Sequence, residues 1–143
     1  MKKFLLAAVL IVGISVAQVS QTEAFYEPYE NDANFAYVYT AGSGNARMYL
    51  DLNSVDVQEY DPPHYQIAGT FILQSGNSPH NEIRYTEMRF NYSTKEVSMR
   101  HEDGRWYRYG SYVESDYSDL ISYYVRTMAN ALFRAAYRMN FYN

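Results

Sequence analysis

Three kinds of side chain could support catalysis in this chain, and none stands at the spacing that catalysis needs. There is no cysteine, hence no thiolate, and no serine sits in a Gly-x-Ser-x-Gly elbow that would lift it above a sheet. His64, His80 and His101 are the only imidazoles, scattered over predicted turns and a strand end without the His-Glu-x-x-His spacing that sets two metal ligands on one helix face. Glu102-Asp103 is a carboxylate pair of the type used across a glycosidic bond, but it adjoins Gly104, and a solvated turn keeps acids ordinary. Asp51-Leu-Asn-Ser-Val-Asp56 opens like a calcium loop, yet Val55 occupies a ligand position and no glycine stands at the sixth. Gly42-Ser-Gly44 lacks the third glycine and following helix of a phosphate cradle. The residues therefore predict no catalytic site, no metal and no cofactor.

What the chain does carry is grip. It has 17 tyrosines, and tyrosine and arginine dominate binding hot spots because each joins a large apolar or planar surface to hydrogen-bonding atoms. Five aromatic or arginine residues share a stretch with helical spacing: Tyr123, Phe133 and Tyr137 fall on its outward arc among Arg126 and Arg134. Arg84 and Arg89 offer guanidinium groups from a predicted strand. These seven are the candidate binding residues. The same rings would instead be structural if the leader or the terminal Phe141-Tyr142 covered them, and both readings stand at this point.

The elements that must position them follow from periodicity. Phe35-Ala-Tyr-Val-Tyr-Thr and Ala46-Arg-Met-Tyr-Leu-Asp flank Gly42-Ser-Gly-Asn45 and read as a hairpin. Asp51-Leu-Asn-Ser is expected to turn the chain before a short piece, Val55 to Glu59, that Pro62-Pro63 must end because neither residue can donate to a ladder. Tyr65, Ile67, Gly69, Phe71 and Leu73 alternate with Gln66, Ala68, Thr70 and Gln74, the period of a strand with one buried face. Residues 82 to 92 continue as a strand with Met88, Phe90 and Tyr92 on the face of Arg84 and Thr86, and Glu87 and Arg89 on the reverse. Ser93-Thr-Lys95 and Glu102-Asp103-Gly104 then turn into strands at Val97 and at Arg105 to Tyr109. From Ser118 to Met139 there is no Gly or Pro, and Leu120, Ile121, Tyr124, Val125, Met128, Leu132, Ala135 and Met139 form one apolar arc of a long helix. Ser115 or Ser118 is the expected cap, with Asp116 and Asp119 at the positive end of the helix dipole and Arg134 and Arg138 at the negative end. The predicted fold class is α+β, an antiparallel meander of about five or six strands packed on one long C-terminal helix.

Met1-Lys-Lys followed by the apolar run Phe4 to Ile14 and by Thr22-Glu23-Ala24 has the form of a secretory signal peptide, with a core too short for a stable span. The expected organisation is a signal peptide over 1–24, a flexible acidic leader over 25–34 and a single domain over 35–143. Cleavage after Ala24 is favoured and a cut after Ala17 is the alternative. Loss of Lys2, Lys3 and Glu23 with the signal takes the 12 basic and 16 acidic side chains to 10 and 15, a net charge of −5 that disfavours nucleic acid as a partner. Without cysteine there is no disulfide and no acylation site for a lipid anchor, so the mature product is expected in the periplasm, or outside the cell, with no membrane span.

Met48-Tyr-Leu-Asp-Leu-Asn-Ser-Val55 resembles the opening motif of the surface-adhesin protein E-like family: aromatic, aliphatic, Asp, two residues, Ser, aliphatic. The order that follows is similar too, two long strands over Tyr65 to Leu73 and Arg84 to Tyr92, then a glycine-turned strand at Gly104-Arg-Trp106, covering residues 37 to 110 in all. The resemblance implies an exported bacterial cell-envelope protein with an antiparallel sheet and packed helix, of a family in which some members bind host extracellular-matrix proteins and plasminogen. The sequence thus leads to a non-catalytic, adhesin-like binding module for a protein or glycan. The alternative is a periplasmic service protein, an inhibitor of a cell-wall hydrolase or an envelope assembly factor, for which the loop Ser75 to Asn81 is the element to insert into a cleft.

Overall fold

A computed structural model describes residues 27–41, 46–76, 78, 80–109 and 120–142. Six strands, β1 (Phe35–Ala41), β2 (Ala46–Asp61), β3 (His64–Ser75), β4 (Glu82–Asn91), β5 (Glu96–Arg100) and β6 (Trp106–Tyr109), form one antiparallel sheet in sequence order, as the meander pattern predicts. A helical turn α1 (Glu27–Glu30) precedes them and the helix α2 (Leu120–Tyr137) follows. The expected caps Ser115 and Ser118, with Asp116 and Asp119, lie outside the described residues, as do the signal segment and Gly42–Asn45. Among the described residues no helix is long and apolar enough to cross a membrane.

Strand β3 shows why one face is dry. Its odd-numbered residues point at α2, and Gly69 is placed where a Cβ would come within 2.7 Å of Leu132 Cδ2 and 3.1 Å of Leu50 Cδ1. A side chain there would hold the helix off the sheet; its absence lets Leu132 sink between the strands. Met48, Leu50, Ile67, Phe71, Met88, Phe90 and Val97 of the sheet meet Val125, Met128, Ala129, Leu132 and Phe133 of α2 in one core. Tyr39 stacks on Tyr124 with ring centroids 4.7 Å apart.

Two irregularities depart from the sequence reading. Asp51-Leu-Asn-Ser does not turn the chain. β2 runs on to Asp61 through a register shift between Asp51 and Asp56, because Ser54 bridges the gap: its hydroxyl donates to the Asp51 carbonyl (2.7 Å) and accepts the Thr70 amide (2.7 Å). A side chain that fills a broken ladder makes a bulge out of what composition alone reads as a turn. β1 has a similar shift between Tyr37 and Tyr39, which leaves Val38 unpaired and changes the phase of the strand. Tyr37 and Thr40 consequently share a face, with their hydroxyl oxygens 2.8 Å apart, while Tyr39 joins the core.

The described part of the leader contacts the sheet. Tyr29 of α1 packs edge-on to Phe35 (4.8 Å between centroids) and against Tyr49 (5.6 Å), accepts a hydrogen bond from Asn81 Nδ2, and is followed by a Glu30–Arg47 ion pair of 2.9 Å.

Helix α2 stops at Tyr137, where Arg138 takes a left-handed φ of 59° and donates its amide to the Arg134 carbonyl. Met139, expected on the buried arc, is therefore 45% exposed beyond the helix end. The chain then folds back. Asn130 Oδ1 accepts the amides of both Phe141 (3.0 Å) and Tyr142 (2.8 Å), and both rings are buried. Lys95 locks the tail from the sheet side, donating to the Phe141 carbonyl at 2.8 Å with its ammonium 3.2 Å from the Tyr92 ring centroid.

Two outcomes follow from the tail. Asn130→Ala strips two buried amides of their acceptor and should lower unfolding free energy by about 1–3 kcal/mol, read by urea denaturation, with earlier proteolysis at the C-terminus. Burial pushes the Tyr142 hydroxyl from 10.0 up to about 12, against the opposing pull of Arg126. Burial likewise raises Tyr39, Tyr65 and Tyr137. Above the ordinary tyrosine pKa of 10.0 the unfolded chain sheds protons that the folded chain keeps, so stability is full below that pH and declines as pH rises toward about 12. The urea midpoint should be flat at neutral pH and fall in that alkaline window, less steeply in Tyr142→Phe.

Candidate functional site

The face of the sheet turned away from α2 holds the arrangement best suited to binding. Strand alternation sends Gln66, Tyr85, Glu87 and Arg89 there, and the second irregularity of β2, between Val57 and Glu59, releases Gln58 from pairing to join them. The side chains form a connected series. Gln58 Nε2 donates to the Tyr85 hydroxyl at 3.2 Å, Gln66 Nε2 donates to Gln58 Oε1 at 2.6 Å, and Arg89 Nε donates to Gln66 Oε1 at 3.0 Å. Arg89 then lies over Trp106 of β6, its Cζ 4.0 Å from the ring centroid. Each member restrains the next, so a guanidinium and an indole are presented together. Ion pairs of Arg100 with Glu87 (2.9 Å) and of Arg108 with Glu96 frame this strip, while Ile83 and Tyr85 stand 68% and 60% exposed at its other end.

The residues anticipated on the helix are dispersed by the structure. Phe133, expected outward, is 1% exposed and meets Tyr65, Phe90, Tyr92, Tyr137 and Phe141 with centroids 4.9–5.7 Å apart. It is a core residue, and the tail that covers it is Phe141-Tyr142. The physical reason is that the helix packs on the sheet along one side and under the returning tail along another, which widens its buried arc beyond that of a helix resting on a sheet alone. Tyr137 is half-buried against Tyr60 and Tyr65, with a buried hydroxyl. Arg126 lies over the Tyr142 ring at 4.8 Å. Only Tyr123 and Arg134 remain exposed, the former at 54%. Arg134 lines a groove of about 490 Å³ between α2 and the β1 edge, with Thr127, Asn130, Ala131, Leu52 and Val38. Arg84 and Arg89 are separated by the sheet: Arg84 lies on the helix side, paired with Glu82 at 2.5 Å, and Arg89 on the open side.

His101, His64 and Asp103 are each engaged by neighbouring side chains or backbone. His101 Nε2 is 2.8 Å from the Tyr109 hydroxyl, and His64 Nε2 is 3.3 Å from Asn91 Nδ2. Asp103 accepts the Arg105 amide and the Tyr107 hydroxyl, which hold its carboxyl below the usual carboxylate range, opposite to what a general acid requires. Gly104 completes that turn with a φ of 78° that favours glycine. Among the described residues no group of three or more His, Asp or Glu is placed to hold a metal ion. The loop Ser75 to Asn81 lies partly outside the described residues.

Comparison with family models, curated proteins and solved structures finds no match to the chain.

The two sides of α2 should respond differently to truncation. Phe133→Ala should cost about 3–5 kcal/mol of stability, whereas Tyr123→Ala and Arg134→Ala should each stay within about 0.5 kcal/mol. Thermal and urea unfolding of the three variants checks this.

Proposed function

We propose that the protein is an exported, non-catalytic binding module of the bacterial cell envelope that takes a protein or glycan ligand on the open face of its sheet. One observation carries the reading: Arg89 and Trp106, 4.0 Å apart and linked through Gln66, Gln58 and Tyr85, stand on the face of the sheet turned away from α2. A preorganised aromatic and guanidinium pair loses little side-chain entropy on binding and offers both a stacking surface and directional donors. The signal-like start at Met1-Lys-Lys and the apolar run after it support export. The likeness of Met48 to Val55 to the adhesin motif supports an envelope role, with the ligand carried by the sheet alone where the sequence suggests sheet and helix together.

The mature chain, immobilised, should retain a ligand from a set of extracellular-matrix proteins, plasminogen and an array of glycans. Trp106→Ala and Arg89→Ala should each weaken that retention by about tenfold or more, while Arg126→Glu with Arg134→Glu leaves it near the parent value. Retention that survives both sheet substitutions would dismiss this strip as the site. Processing after Ala24 is checked by the mass of the protein recovered from the periplasm or medium.

A further inference from the structure

A second feature of the open face lies at its β1–β2 end, away from the Arg89 and Trp106 strip. Tyr29, Phe35, Tyr37 and Tyr49 line a pocket of about 310 Å³, together with Thr40 and the ion-paired Glu30 and Arg47. The rings are mutually braced: Tyr29 on Phe35 at 4.8 Å, Tyr29 on Tyr49 at 5.6 Å, Tyr37 on Tyr49 at 6.1 Å. Outside the sheet, α1 supplies one wall, held by the Asn81 to Tyr29 hydrogen bond of 2.9 Å and the Glu30 to Arg47 contact of 2.9 Å.

The pocket contains an unmet polar requirement. Tyr49 is 1% exposed, and its hydroxyl has no hydrogen-bond partner. The Arg47 guanidinium lies beside it, and its charged form is favoured by that hydroxyl, although the contact falls short of hydrogen-bond geometry. Gln74, the cross-strand partner of Arg47, is also buried with a partnerless side-chain oxygen. A buried hydroxyl without a partner is costly, so such groups persist where something else satisfies them.

The lining decides what that something is. A cation would have to sit beside Arg47 and an anion beside Glu30, and each charge is already neutralised by the other at 2.9 Å. A purely apolar occupant would leave the Tyr49 hydroxyl and the Tyr37–Thr40 hydroxyl pair unused. A neutral molecule with a C–H face and a rim of hydroxyl groups fits both halves of the lining, its face against the rings and its hydroxyls toward the planar carboxylate, the guanidinium and the phenol. The volume stands at the low end of the range for small-molecule sites, about 300–1,000 Å³, which suits one or two sugar rings. We propose that the Tyr29, Tyr37, Tyr49, Glu30 and Arg47 pocket is a binding site for a neutral saccharide unit. The site extends the reading of this face as a binding surface but uses no residue of the Arg89 and Trp106 strip, so either can fail without the other.

The test titrates the mature protein with free glucose, galactose, mannose, N-acetylglucosamine and maltose, with glucuronate and tetramethylammonium as charged comparators, by saturation-transfer NMR and calorimetry. At least one neutral sugar should bind saturably below about 50 mM, and Arg47→Ala should weaken it by about tenfold or more. Tyr49→Phe should weaken it several-fold while leaving the unfolding midpoint unchanged or higher, because the substitution removes an orphan hydroxyl, an opposite pair of effects that a merely structural tyrosine would not give. Trp106→Ala should leave sugar binding intact even if it abolishes retention of larger ligands. Absence of binding by every neutral sugar, preference for either charged comparator, or binding indifferent to both Arg47→Ala and Tyr49→Phe would overturn the assignment.

Discussion

One 18-residue helix has six strands to cover. At about 1.5 Å of rise per residue and about 4.8 Å between strands, α2 can dry one face of the sheet and no more. Gly69 makes that single contact intimate, since removing its side chain lets Leu132 settle between Leu50 and the backbone of β3. Everything else in the architecture adapts to a two-layer design with one helix too few: the returning tail adds Phe141 and Tyr142 to the dry side, and the wet side is built from amphipathic rings and amides.

The tail is as much a part of the core as any strand. Asn130, in the middle of α2, presents a polar carbonyl where helix periodicity would place a solvated residue, and spends it on the two amides that bring the chain back. Lys95 reaches the same segment from the β4–β5 turn, where its φ of 58° swings its backbone into the left-handed region. Phe133 sits between these two clamps, which is why an aromatic residue on the nominally outward arc of an amphipathic helix has become one of the largest fully buried side chains.

Much of this was legible in the sequence, and the failures share a cause. Strands β3 to β6 and the helix declare themselves through periods of two and of 3.6 residues, because burial on one face imposes those periods. Arg89 could be assigned to the face opposite Arg84 by counting alone. What counting misses is any place where a side chain substitutes for backbone pairing. Ser54 carries β2 through Asp51-Leu-Asn-Ser, and without that continuity Gln58 has no place in the open-face series. Asn130 turns the tail back onto the helix, and without it Phe133 looks like a surface ring. Tyr29 was hidden by its acidic neighbours; the signal that could have revealed it is a large ring six residues before Phe35, long enough for one helical turn to return it to the sheet.

The unpaired Val38 has a further effect on how this molecule lives among copies of itself. β1 is an outer strand, and a flat outer strand rich in Phe, Val and Tyr is a template for stacking chain upon chain into fibrils. An extra residue in mid-strand interrupts the even march of amide and carbonyl groups, so an incoming strand that matches one half of the edge is out of step with the other. At the opposite margin β6 is only four residues long and carries Arg108. Both described borders of the sheet thus carry features that disfavour the addition of a further strand.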